Sequence, residues 1–214
     1  MDSSTSLKKT IEPYFTTKQP FITMKTFLID PGHGVTTRGK QSPDGLYKEW
    51  AGNRRIGRRI VELAKPLGLE CHMLFDSDSD LALSQRVEIA NRCNPRTTVL
   101  VSVHSNASGN GSCWMNARGF SAFVAPNASA TSRMLARLLV EEAHLAGMAG
   151  NRAVPPRGYW TASLAVCRDS HCPAVLTENL FHDNIDDLRI LQSQAGVDLI
   201  ARIHLEAFLK LLRS

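Results

Sequence analysis

The chain has 214 residues, 43% hydrophobic, 21% charged and 7% aromatic, with 14 Gly and 10 Pro. That composition is ordinary for one generous globular domain and excludes the disordered, collagen-like and disulfide-scaffold classes. A formal net charge of +5 is too mild to single out nucleic acid among anionic polymers, and no nucleic-acid partner is expected.

Residues 1–24 are polar, contain Pro13 and Pro20 and show no sustained period, which predicts a flexible N-terminal extension ahead of a domain over 25–214. Over residues 1–25, Lys8, Lys9, Lys18 and Lys25 outweigh Asp2 and Glu12, so +2 of the positive charge belongs to this N-terminal stretch. The N-terminus has no apolar signal-peptide segment, and no run approaches the roughly 18 apolar residues of a membrane span, so no membrane insertion is expected.

From Thr26 the pattern alternates. The apolar run 26–30, stopped by Pro31-Gly32, predicts a buried strand; residues 48–66, with Ile56, Ile60, Leu63, Ala64 and Leu67 at helical spacing, predict a helix. A strand follows over 69–75, a helix over 81–93 with Leu83, Val87 and Ala90 inward, and a β-branched strand over 97–103. Next come a strand over 119–125, a helix over 129–145, an unassigned functional loop over 147–162, a buried strand over 174–177 and a closing helix over 185–212. On that closing helix Leu188, Leu191, Leu199, Ile203 and Ala207 share one side. The βαβ rhythm predicts a single α/β domain, a twisted and mostly parallel sheet with helices on both faces.

Three buried strands run into chemistry-bearing residues at the same end: 26–30 into Asp30 and His33, 99–103 into His104, and 174–177 into Glu178. Ligands of open parallel sheets bind beyond the carboxyl ends of the strands, so these groups should converge. Two imidazoles and one carboxylate suit zinc and leave a fourth position for water, and His33, Glu49 and His104 fit that set. Glu178 is then left over as the carboxylate that takes and returns protons. Glu49 alone reads equally as a first-turn helix glutamate, and His104 alone as a turn histidine.

The remaining candidates read mainly as structure. Cys71, Cys93, Cys113, Cys167 and Cys172 are odd in number without CxxC spacing, which predicts reduced packing cysteines. His72, His144, His171, His182 and His204 read as surface or packing residues. Arg54, Arg55, Arg58 and Arg59 are expected on one solvated helix face, with contact to an anionic polymer, of the wall or nucleic acid, as the alternative. Tyr159 and Trp160 read equally as groove-lining or packed.

Asp30-Pro31-Gly32-His33-Gly34, then Glu49, then Val103-His104-Ser105-Asn106-Ala107, then Thr177-Glu178 with Phe181 and Asn184 resemble the zinc-dependent N-acetylmuramoyl-L-alanine amidase family of the amidase-3 type, as do Leu83, Arg86 and Ala90-Asn91. The resemblance covers roughly residues 26–212. It implies one Zn2+ per chain on His33, Glu49 and His104, Glu178 as catalytic acid/base, and hydrolysis of the amide between N-acetylmuramic acid and L-alanine in peptidoglycan. Asn106, Tyr159 and Trp160 are the candidate substrate contacts. Two departures concern substrate detail: Leu180 stands where the family often has Gly, and the Thr-Arg pair expected after the second strand is missing around Leu74-Phe75. The short stretch between His104 and the last strand leaves no room for an inserted regulatory helix, which predicts an open site.

Two alternatives remain at this point: a zinc peptidase cutting within stem peptides, and a non-catalytic wall-binding module in the same groove. The chain is expected to be a monomer made in the cytoplasm and acting on the cell wall. A phage-type lysin released through a holin, a recycling enzyme and a mobile-element enzyme are all compatible with that setting.

Overall fold

The computed structural model describes residues 24–214; apart from Met24, the expected N-terminal extension lies outside them. Six strands form one sheet: β1 (Thr26–Pro31), β2 (Glu70–Met73), β3 (Thr98–Asn106), β4 (Ser121–Val124), β5 (Trp160–Thr161) and β6 (Ala174–Phe181), in the order β2-β1-β3-β6-β4-β5. β2, β1, β3 and β6 run parallel, whereas β4 is antiparallel to β6 and β5 is parallel to β4. The sheet is therefore parallel through its centre and reversed at one edge.

The central strands are covered on both faces, which is why they read as continuous apolar runs rather than alternating ones. Side chains alternate between two cores. Phe27, Ile29, Val99, Val101 and Val175 face a large cluster completed by α1 (Glu49–Ala64), α3 (Ala130–Leu145) and α6 (Gln194–Leu212). Leu28, Leu100 and Leu176 face a smaller one that includes Ala90 of α2 (Leu83–Asn91) and Val166 of α4 (Ala165–Asp169). The rings of Phe27 and Phe208 stack with centroids 4.0 Å apart, and burying one such ring contributes about 1.5–3 kcal/mol.

The expected closing helix is two helices. α5 (Ile185–Gln192) starts at Asn184, whose side chain accepts from the amides of Asp186 and Asp187; Ser193 then interrupts it and caps α6 through Gly196 N–H. Such caps satisfy backbone donors that a continuing helix would otherwise have paired.

Three residues expected inside are exposed: Leu67 (51%), Leu83 (57%) and Leu199 (38%). Leu67 belongs to a short 3-10 turn over Lys65–Leu67 that ends the helical phase of α1. On α2 the inward position is taken by Arg86, because Asp30 at the end of β1 requires a buried cation, as described below.

Candidate metal centre

The carboxyl ends of β1, β3 and β6 bring the residues together. Parallel pairing sets Asp30 opposite Ser102 and His104 opposite Glu178. His33 follows β1 in a turn, and Glu49, only 2% exposed, opens α1. His33 Nε2 lies 3.3 Å and His104 Nδ1 3.0 Å from Glu49 Oε1. The two imidazoles meet edge to face at 4.8 Å between centroids. The three residues thus place one ligand atom each within 4.8 Å of one another, a donor set suited to zinc.

Burial raises the pKa of Glu49, but hydrogen bonds and charge from His104 and His33 outweigh it and hold the carboxylate well below its usual range. Burial lowers His104, yet the Glu49 bond and the charges of Glu49, Glu178 and Asp30 shift it upward overall. Glu178 behaves differently. Burial pushes it up to about 7 against the lowering influence of His104, and its Oε2 is buried without a hydrogen-bond partner. Two carboxylates that both interact with His104 are therefore driven apart, one held ionised and the other poised between forms.

The turn carrying His33 is strained and clamped. His33 has φ +62°, a left-handed conformation costing a non-glycine residue roughly 1–2 kcal/mol. Its carbonyl accepts from Arg54 Nη2 (3.0 Å) and Arg86 Nη2 (2.9 Å). Arg86 Nη1 also bonds Asp30 Oδ1 (2.6 Å) and Pro31 O (2.8 Å), and Ser102 Oγ donates to Asp30 Oδ2 (2.6 Å). Buried bonds to charged groups stabilise by about 1.5–3 kcal/mol each, enough to outweigh the strain. The Phe75 ring lies 4.7 Å from the Arg86 guanidinium and 5.5 Å from that of Arg54.

The glycines beside His33 admit protein rather than ligand. A Cβ on Gly32 would fall inside 3.0 Å of three ring atoms of His104, and one on Gly34 would meet the backbone of Asp80. Asn53 Nδ2 donates to Gly32 O (3.2 Å), and Ser105 N–H donates to Glu49 Oε1 (3.3 Å), which further fixes the group.

Two clefts flank it. One of about 410 Å³ is lined by Glu178, Lys40, Asn106 and Asn110; the other, about 460 Å³, by Thr37, Asp80, Leu83 and Val166. His33 and His104 line both. Asn106 thus faces the cleft beside Glu178, whereas Trp160 lies against Phe123 (centroids 6.0 Å) and Tyr159 beneath Arg157, both outside these two linings.

The arginine cluster differs from expectation. Arg54 is 1% exposed and bonds the carbonyls of Trp50, Ser77, Ser79 and His33. Arg58 pairs with Asp76, Arg59 with Asp198 and Glu62, and Arg55 reaches Gln192 O. The face is therefore largely neutralised within the fold, because the spacing reveals neighbouring arginines but not the acids that other elements bring to them. Sequence reasoning missed the clamp formed by Arg54 and Arg86; the signal available was two arginines at inward helical phase. The five cysteines are free, and Cys71, Cys167 and Cys172 are buried. His182 and His204 are buried, while His72, His144 and His171 are exposed.

Leu180 has φ +67°, which gives the family's frequent glycine a reason: the chain turns left-handed there, and this sequence places a leucine, 1% exposed, in the core instead.

A parallel-centred sheet presenting a His-Glu-His cluster that could hold a metal ion, beside a buried carboxylate, defines the class as an α/β domain with a candidate metal site at the carboxyl ends of its strands. The chain belongs to the amidase-3 family, N-acetylmuramoyl-L-alanine amidase, whose profile matches residues 27–210. It is 29% identical over 181 residues to the N-acetylmuramoyl-L-alanine amidase CwlM of Bacillus licheniformis, covering 85% of this chain and 66% of that protein. It is also 29% identical over 193 residues to the endolysin of Bacillus phage SPP1, covering 88% and 66%. The chain thus spans 66% of the length of these relatives. The solved N-acetylmuramoyl-L-alanine amidase of Clostridium difficile 630 superposes with a TM-score of 0.76 at 26% identity, over 90% of this chain and 98% of that one. Ami1 of Mycobacterium smegmatis shares the fold (TM-score 0.77, 18% identity, 90% and 98% covered).

Proposed function

We propose that the protein hydrolyses the amide joining N-acetylmuramic acid to L-alanine in peptidoglycan, with one zinc ion held by His33, Glu49 and His104. The donor chemistry supports this: two imidazole nitrogens and an ionised carboxylate oxygen already converge, and a fully ionised Glu49 is what a cation would bind. When bound, zinc supplies Lewis acidity toward a carbonyl oxygen and toward water.

The observation that carries the reading is the partnerless Oε2 of Glu178, opposite His104 in the sheet. A pKa near 7 lets Glu178 accept a proton from attacking water and deliver it to the departing alanine nitrogen. Asn106 lines the same cleft and is positioned to orient substrate. Arg86 and Arg54 act through the carbonyl of His33, holding its imidazole toward the group. His33 and His104 keep side-chain exposures of 21% and 16%, in keeping with an open site.

The test is a digest of purified cell wall with matched zinc analysis. New N-terminal alanine and unsubstituted muramyl residues support the amidase. Other peptide termini support a peptidase acting within the stem, and wall binding without product supports the binding module. Glu178→Ala should lose turnover and keep zinc, whereas His33→Ala should lose both. Loss of zinc from Glu178→Ala comparable to that from His33→Ala refutes the division of roles.

A further inference from the structure

The antiparallel pairing of β4 with β6 sets Ser121 opposite Glu178 and Phe123 opposite Leu176, and β5 adds Trp160 opposite Phe123. Residues opposite one another share a face of the sheet, so Ser121, Phe123 and Trp160 extend the surface on which Glu178 and Leu176 stand. Arg152, from the loop before β5, closes over this surface. Its guanidinium carbon lies 5.2 Å from the Trp160 ring centroid and 5.5 Å from that of Phe181, and Nη1 donates to Ser121 Oγ at 3.0 Å. Among the described residues no carboxylate forms an ion pair with it, in contrast to Arg58, Arg59, Arg86 and Arg168.

Its charge acts on Glu178 without a direct ion pair, and a half-buried guanidinium held between two aromatic rings is already oriented for an anion. The fork left free after the Ser121 bond matches a carboxylate, which it can engage through two parallel hydrogen bonds. Distance narrows which carboxylate. β4 lies about 4.8 Å from β6, and a peptide advances about 3.5 Å per residue, so a group one or two residues beyond the cut falls at the strand next to Glu178.

We propose that Arg152, positioned by Trp160, Phe181 and Ser121, is a specificity-determining residue that binds a free carboxylate on the residue following the alanine released by hydrolysis. This rests on the amidase reading and names the peptide feature its site selects. Trp160 then serves the substrate indirectly, by holding the arginine flat.

The experiment compares two soluble substrates, N-acetylmuramoyl-L-alanyl-D-glutamyl peptides whose α-group is either carboxylate or carboxamide, with wild type, Arg152→Gln and Arg152→Lys, all zinc-loaded and checked for folding by thermal melting. Wild type should favour the carboxylate by 10-fold or more in kcat/KM, chiefly through KM. Arg152→Gln should abolish the preference by weakening only the carboxylate substrate, and Arg152→Lys should restore part of it. Equal hydrolysis of both substrates by wild type, or equal loss on both in Arg152→Gln, overturns the assignment while leaving the amidase reading intact. Hydrolysis of neither by wild type overturns both.

Discussion

Gly32→Ala isolates the geometry of the His33-Glu49-His104 cluster from the stability of the fold. An added Cβ would lie within 3.0 Å of three atoms of the His104 ring, and the backbone cannot retreat readily because Gly32 N–H is bonded to Val103 O (3.0 Å) and Gly32 O to Asn53 (3.2 Å). The ring must therefore withdraw by about 1 Å to reach ordinary contact, moving Nδ1 from Glu49. A displacement of about 1 Å costs roughly 100-fold in rate when it misplaces reacting groups. Because His104 borders open clefts, the ring has somewhere to go and the fold should survive. The expected result is a melting temperature within a few degrees of wild type, clear loss of zinc on dialysis against a weak chelator, and activity down about 100-fold. Gly68→Ala is the control: Gly68 has φ +69° with nothing within 4 Å, so it should lower stability by about 1 kcal/mol and leave zinc unchanged. Wild-type zinc retention and activity in Gly32→Ala would refute the argument.

Removing the clamp should act through stability: Arg86→Met leaves Asp30, 0% exposed, as an unpaired buried charge and should cost about 3–5 kcal/mol in a urea titration, with Asp30→Asn/Arg86→Met recovering part of it. His204, fully buried with a pKa lowered by burial to about 4 from 6.5, stays neutral in the fold while the unfolded chain takes up a proton below pH 6.5. Stability is therefore complete above pH 6.5 and should fall by about 3 kcal/mol as pH drops toward 4, and His204→Leu should flatten that slope in pH-dependent unfolding. An unchanged slope would show that other groups dominate. At Leu180 the usual order of substitutions should invert: Leu180→Ala and Leu180→Gly both lose core packing, but the left-handed backbone should make the glycine variant the more stable by about 1 kcal/mol.

The outline of the fold was readable because it depends on local periodicity. Apolar runs at 26–30, 97–103 and 174–177 marked the three strands that carry the site, and the residues they run into, Asp30, His104 and Glu178, pointed to one end of the sheet. The same periodicity failed where a residue answers to a partner far along the chain. Arg86 faces inward on α2 because Asp30, 56 residues earlier, is buried there, and although its helical phase is inward, the spacing of α2 does not show the acid it answers. The arginines of α1 looked like one basic face because the sequence shows their neighbours along the helix, whereas Asp76 and Asp198 meet them only after folding. Reversal of β4 was likewise invisible, since a four-residue strand reads the same in either direction.

By itself the sequence determined the α/β class, the family resemblance and the identity of the residues His33, Glu49, His104 and Glu178, because these depend on residue types in order along strands and turns. Tertiary structure alone decided what surrounds each. Convergence of His33 and His104 on Glu49 holds one carboxylate ionised, while burial opposite His104 pushes the other, Glu178, up to about 7. The two side chains are chemically identical, and the difference in the charges and solvent around them, set by the fold, is what drives their ionisation apart.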